Sequence, residues 1–154
     1  MTSPTKRGLT LRAISLGGGA LVLPFALAAA IILAPESRAA STGRDLYVEH
    51  CASCHGADLE GQPNWRQPLP SGRLPAPPHD ETGHTWHHPD RMLHDIILRG
   101  TAAVVGGGYE SDMPGFAGLL TEADVDAILD YLKSEWPERA RAHQARVTEA
   151  DEGR

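Results

Sequence analysis

The hydrophobic pattern divides the chain into three stretches of different character. The first is Ala13 to Ala34, 22 residues without a charge, behind Lys6, Arg7 and Arg12. Such a run is either the apolar part of a secretory signal peptide or an N-terminal hydrophobic helix that anchors the chain in a membrane. Ser37-Arg38-Ala39 offers small residues for cleavage. The length of the run favours the anchor, while Gly17, Gly18, Gly19 and Pro24 weaken its helix. In both cases the rest of the chain is expected on the far side of the membrane, because basic flanks stay in the cytoplasm.

The second stretch has helical periodicity. Val125, Ile128, Leu129 and Leu132 fall at i, i+3, i+4 and i+7, which predicts a helix over 121–135 with one apolar face. Thr121 caps it, with Asp124 three residues on, and Pro137 stops it. Pro89 and Gly100 bracket a second helix over Asp90 to Leu98. Gly43 to His50 reads as a short helix packing through Leu46 and Tyr47. Strand-like character is confined to Thr101–Val105, which runs into Gly106-Gly107-Gly108. Gln62 to Pro78 holds six prolines and is expected to be an extended loop. The third stretch, Glu138 to Arg154, is charged; it can be helical in part, and is expected to be a solvated tail. The organisation is therefore an export segment over 1–40, an all-α domain over 41–137 and a tail over 138–154.

Charge changes this picture once the export segment is set aside. The whole chain has 14 basic and 20 acidic residues. Residues 1–40 hold four basic residues and one acidic, so the remainder carries 10 minus 19, or −9. Nucleic acid and an anionic membrane face are excluded as partners of such a domain. A basic patch on a protein partner is compatible with it.

The candidate chemistry lies in Cys51-Ala52-Ser53-Cys54-His55, a C-x-x-C-H run. Two thiols three positions apart can add to the two vinyl groups of one haem, and the next imidazole can ligate its iron. A redox C-x-x-C does not require the His. A zinc site needs further ligands at suitable spacing, and the chain has no other Cys. A haem iron with one His commonly takes Met as its second axial ligand. Met92 sits in an apolar stripe and reads as core filler. Met113 sits in Asp112-Met113-Pro114-Gly115, where Pro114 holds it extended on a loop, and is the better ligand. His79, His84, His87 and His88 fall within ten residues. They suit a second metal, a substitute axial ligand or a polar loop.

With these motifs, residues 43–136 resemble a class I mono-haem bacterial cytochrome c. The resemblance rests on Gly43-Arg44-Asp45-Leu46-Tyr47, Cys51 to His55 with Gly56, and Met113-Pro114-Gly115-Phe116. It also rests on Leu120-Thr121-Glu122-Ala123-Asp124 leading into Ile128 to Pro137, and on the 59 positions from Cys54 to Met113. It implies a small helical domain around one covalent haem c, bound through Cys51 and Cys54, with His55 and Met113 on the iron. It implies that a proline carbonyl, from Pro75 or Pro77, accepts a hydrogen bond from His55. Segments like His84-Thr85-Trp86-His87-His88 belong to the haem-pocket wall in such proteins, with Trp86 covering an edge. Haem attachment after export implies a periplasmic site, membrane-anchored or soluble after cleavage. The implied task is carrying single electrons between redox proteins, not catalysis. Competing readings are a haem subunit of a larger dehydrogenase or oxidase, and a metal-handling protein using the His-rich loop.

Overall fold

The helices Ala34–His50 and Glu122–Glu135 form the packing seam on which the rest of the fold is hung. A computed structural model describes residues 34–154, which include Ala34 alone of the expected hydrophobic segment. No helix among the described residues is long and apolar enough to cross a membrane. In chain order the elements are α1 (Ala34–His50), α2 (Ala52–His55), a single 3-10 turn (Thr85–His87), α3 (Asp90–Arg99), α4 (Thr101–Val105), α5 (Glu122–Glu135) and α6 (Glu138–Glu152). The described residues contain no strand, so the fold is all-α as the periodicity predicts.

The apolar stripe of α5 does what its spacing requires. Val125, Ile128, Leu129 and Leu132 are all buried, and Tyr47 of α1 is completely so. Gly43 lies one helical turn before Tyr47 on the same face, and a Cβ there would meet the Ala127 carbonyl oxygen at 1.9 Å. That absence of a side chain lets the backbones of α1 and α5 touch. Thr121 and Asp124 cap α5 reciprocally: the Asp124 amide donates to Thr121 Oγ1 at 3.2 Å, and the Thr121 amide to Asp124 Oδ2 at 2.9 Å. The Thr121 hydroxyl and amide hold the Asp124 carboxyl below its ordinary pKa.

Three expectations are corrected. Thr101–Val105 is a short helix, not a strand. Gly100, at φ +84°, breaks α3 and lets the chain restart as helix in a new direction. Met92 does not fill core: it is 36% exposed, and Leu93 carries the buried position of α3. Residues 138–152 are a packed helix and not a solvated tail. Ala140 and Gln144 of α6 are buried. Gln144 Nε2 donates to Asp90 Oδ1 at 2.6 Å, and Arg91 grips Asp151 through two nitrogens at 2.8 and 3.1 Å. The α6 contacts thus tie the chain end to the start of α3.

Candidate cofactor site

One wall of the site is built from the end of α1 and the whole of α2. The Cys51 amide donates to the Tyr47 carbonyl at 2.8 Å, so the C-x-x-C-H turn grows directly out of α1. Tyr47 Oη donates to the Gly56 carbonyl at 2.9 Å and clamps the far end of the motif. Cys51 is half-buried, Cys54 is exposed, and neither is in a disulfide. Burial, with the neighbouring Cys54, pushes the Cys51 thiol up to about 11. His55 is buried, and its Nδ1 lies 2.9 Å from the Pro77 carbonyl oxygen. A carbonyl can only accept, so Nδ1 carries the proton and Nε2 is left as the nitrogen with a free lone pair. Burial lowers the His55 pKa and the Pro77 bond opposes that, so the ring is in the neutral form that ligates metals. Of the two prolines the sequence leaves open, the structure selects Pro77.

His79 packs behind this ligand-like ring, with centroids 4.0 Å apart. Its carbonyl accepts from Trp136 Nε1 at 2.7 Å. Its Nδ1 is shielded from solvent and has no hydrogen-bond partner. Burial first, then the proximity of His55 and His84, hold His79 well below its ordinary pKa and hence neutral.

The other wall is the loop before α5. Met113 is half-buried on it. Its amide donates to Ser111 Oγ at 3.1 Å, and its Sδ accepts from Thr101 Oγ1 at 3.2 Å. The loop is pinned beyond Met113, where the amides of Phe116 and Ala117 donate to the Ile97 and Leu98 carbonyls at 2.9 and 3.0 Å. Gly100 and Gly115 permit this approach: a Cβ on Gly115 would stand 2.7 Å from the Leu98 oxygen.

Between these walls lies a cavity of about 410 Å³, bordered by Cys51, Cys54, His55 and Met113. That volume is in the range of cofactor pockets. Leu93, Ile97, Ile128, Leu129, Leu132 and Phe116 give it an apolar lining. The proline-rich segment closes a side with Trp65, Leu69, Leu74 and Pro75. The resemblance implies that Trp86 covers an edge of the pocket. Trp86 instead stacks on His87 at 3.7 Å and does not border the cavity. Trp65 takes the place, stacked on His84 at 5.3 Å, and no periodicity in its proline-rich surroundings marks it. Of the loop histidines, His79, His84 and His88 border the cavity and His87 does not. Among the described residues, no three His, Cys, Asp or Glu side chains are arranged to hold a metal ion by themselves.

A family model described as Cytochrome c matches residues 40–136. The chain belongs to the cytochrome c family. No curated protein and no solved structure matches it. Membership implies covalently bound haem c, and cytochromes c are in general electron carriers. The donors bordering the cavity fit that group: two free thiols three positions apart, an imidazole with one nitrogen already committed, a thioether, and otherwise mainly apolar walls. In this cytochrome c the helix α6 lies beyond the matched region.

Proposed function

We propose that this cytochrome c carries single electrons, using one haem attached through Cys51 and Cys54 and ligated by His55 and Met113. The observation that carries the proposal is the meeting of those four side chains around one cavity. Bound haem supplies a one-electron couple at its iron. The chain supplies the rest. Pro77 fixes the His55 tautomer and strengthens Nε2 as a donor. Thr101 and Ser111 hold the Met113 sulfur and amide. The apolar walls keep water from the iron and so disfavour the more highly charged ferric state.

The domain works outside the cytoplasm, exported by the segment before residue 41, and its partners are redox proteins. The net −9 beyond residue 40 suits partners that present basic docking patches.

The test is spectroscopic. Haem is expected to stay with the chain in acidified organic solvent. The oxidised protein is expected to show the weak charge-transfer band of a thioether–iron bond. Met113→Ala should abolish that band and open the iron to carbon monoxide. A native protein that lacks the band and binds carbon monoxide readily would refute the Met113 assignment and favour an enzyme over a carrier.

A further inference from the structure

The loop that bears Met113 is fastened unequally. After Met113 it is pinned to α3 by the Phe116 and Ala117 amides. Before Met113 it leaves α4 through Gly106, Gly107 and Gly108. All three have positive φ, and none has a neighbour near its Cβ position. Three such residues in series form a hinge, held by local backbone bonds alone at its start: the Gly106 amide donates to the Ala102 carbonyl at 3.0 Å and the Tyr109 amide to the Gly106 carbonyl at 2.9 Å. What crosses from elsewhere to this loose side is Arg73, 39 residues before Asp112. Its Nη1 donates to Asp112 Oδ1, and its Nε lies 3.5 Å from Glu110 Oε2, near enough for an ion pair. Arg73 is itself anchored, because its carbonyl accepts from the Leu69 amide at 2.9 Å and closes a tight turn. Leu69 and Leu74 border the cavity from Arg73's segment, and Tyr109, Ser111 and Asp112 border it from the Met113 loop. The guanidinium therefore bridges the two loops that flank the cavity.

We propose that Arg73 is a positioning residue, whose grip on Asp112 and Glu110 holds the segment 109–113 against the cavity and sets how often Met113 withdraws from it. The consequence for the iron rests on the Met113 ligation proposed above. The grip itself does not. Exposed ion pairs are each weak, so the expected effect is on the opening equilibrium of the loop and not on the fold. Losing the pairs should raise the opening equilibrium about three- to tenfold.

The experiment uses the whole haem-loaded protein and Arg73→Gln. Hydrogen exchange is followed at the Tyr109 and Met113 amides, which donate to Gly106 O and Ser111 Oγ. Binding of imidazole to the oxidised protein is timed in parallel. Exchange at Tyr109 and Met113 should quicken about three- to tenfold, with Phe116 and Ala117 unchanged, and imidazole should enter faster by a similar factor. Added salt should speed imidazole entry in the native protein and leave Arg73→Gln unaffected. The swapped pair Arg73→Asp with Asp112→Arg should recover part of the slow exchange, because Glu110 then faces a carboxylate, and lost packing alone would allow no recovery. Unchanged exchange in Arg73→Gln overturns the proposal. Faster exchange with unchanged imidazole entry overturns the positioning role. A native protein without the charge-transfer band removes the Met113 ligation instead, and the exchange measurement still reads the grip.

Discussion

Replacing Gly43 by Ala sets two effects of opposite sign against each other. Gly43 is in the interior of α1, where Ala is the better helix former by about 1 kcal/mol. On propensity alone the variant would be more stable. Yet the new Cβ would stand 1.9 Å from the Ala127 oxygen, 2.6 Å from its carbon and 3.0 Å from Tyr131 Cβ. Two of those atoms are backbone, so no rotamer change relieves the clash. Real Cβ atoms essentially never come within 3.0 Å of a neighbour, so α1 and α5 must part by at least 1.1 Å, the difference between 3.0 and 1.9 Å. A gap of that size forfeits roughly half of the dispersion attraction between facing atoms. The atoms concerned belong to Tyr47, Val125, Ile128 and Leu132, the most deeply buried part of the core. Overpacking of this kind costs about 3 kcal/mol when backbone must move, against about 1 kcal/mol of propensity regained. The net loss is about 2 kcal/mol, which lowers a urea midpoint by about 1 M for a domain of this size. The assay is urea unfolding of the haem-loaded protein followed by far-ultraviolet circular dichroism. Gly118→Ala is the control: its Cβ position is open and its φ is not positive, so its midpoint should hardly move. A Gly43→Ala midpoint equal to or above that of the native protein would refute the close contact between α1 and α5.

Two further outcomes follow from named hydrogen bonds. Thr101→Val keeps the shape of the side chain but removes the hydroxyl that donates to Met113 Sδ. With Met113 on the iron as proposed, the sulfur then becomes a stronger donor, so voltammetry should give a lower reduction potential, and an unchanged potential would refute the role of Thr101. Asp124 has its carboxyl pKa lowered in the folded state by the Thr121 bonds, so its contribution to stability is complete above the unfolded value of 3.8 and is lost as pH falls through the lower folded value. Asp124→Asn should therefore flatten the loss of stability below about pH 4, as read from urea midpoints at pH 5 and pH 3, and an unaltered slope would refute the capping argument.

What could be read from the chain beforehand follows a physical line. Hydropathy reports apolar side chains at regular spacing, and there it succeeds: Val125, Ile128, Leu129 and Leu132 are buried as the stripe requires. Breakers report turns, and Pro89 and Gly100 bracket α3 as expected. The failure at α6 has the opposite cause. This helix is seated by a small residue, Ala140, and by a polar one, Gln144, whose amide is consumed by Asp90 and Thr148. Neither registers as hydrophobic. Thr101–Val105 looks strand-like because β-branched residues favour strands in general, whereas Gly100 at positive φ and a glycine run leave room here for one helical turn only. Met92 occupies a periodic position, but α3 is short and buries only Leu93. At the site, the C-x-x-C-H run and Met113 were visible as residue types. Thr101, Ser111 and Trp65 were not, because what makes them part of the site is contact across the fold.

The two sides of the cavity are built with different tolerance for movement. On the His55 side, Tyr47, Gly56 and Pro77 lock the motif through a completely buried aromatic and a backbone carbonyl. On the Met113 side, the loop is tied beyond the thioether and hinged before it. An electron carrier gains from ligands that stay put between oxidation states, since any movement adds to the barrier for transfer. The hinge would by itself work against that. A surface ion pair is a weak fastening, and salt weakens it further. A docking partner with a basic patch would also compete for Asp112 and Glu110, both well exposed. Contact with such a partner would thus bear first on the segment that holds Met113, and it would leave the His55 side untouched.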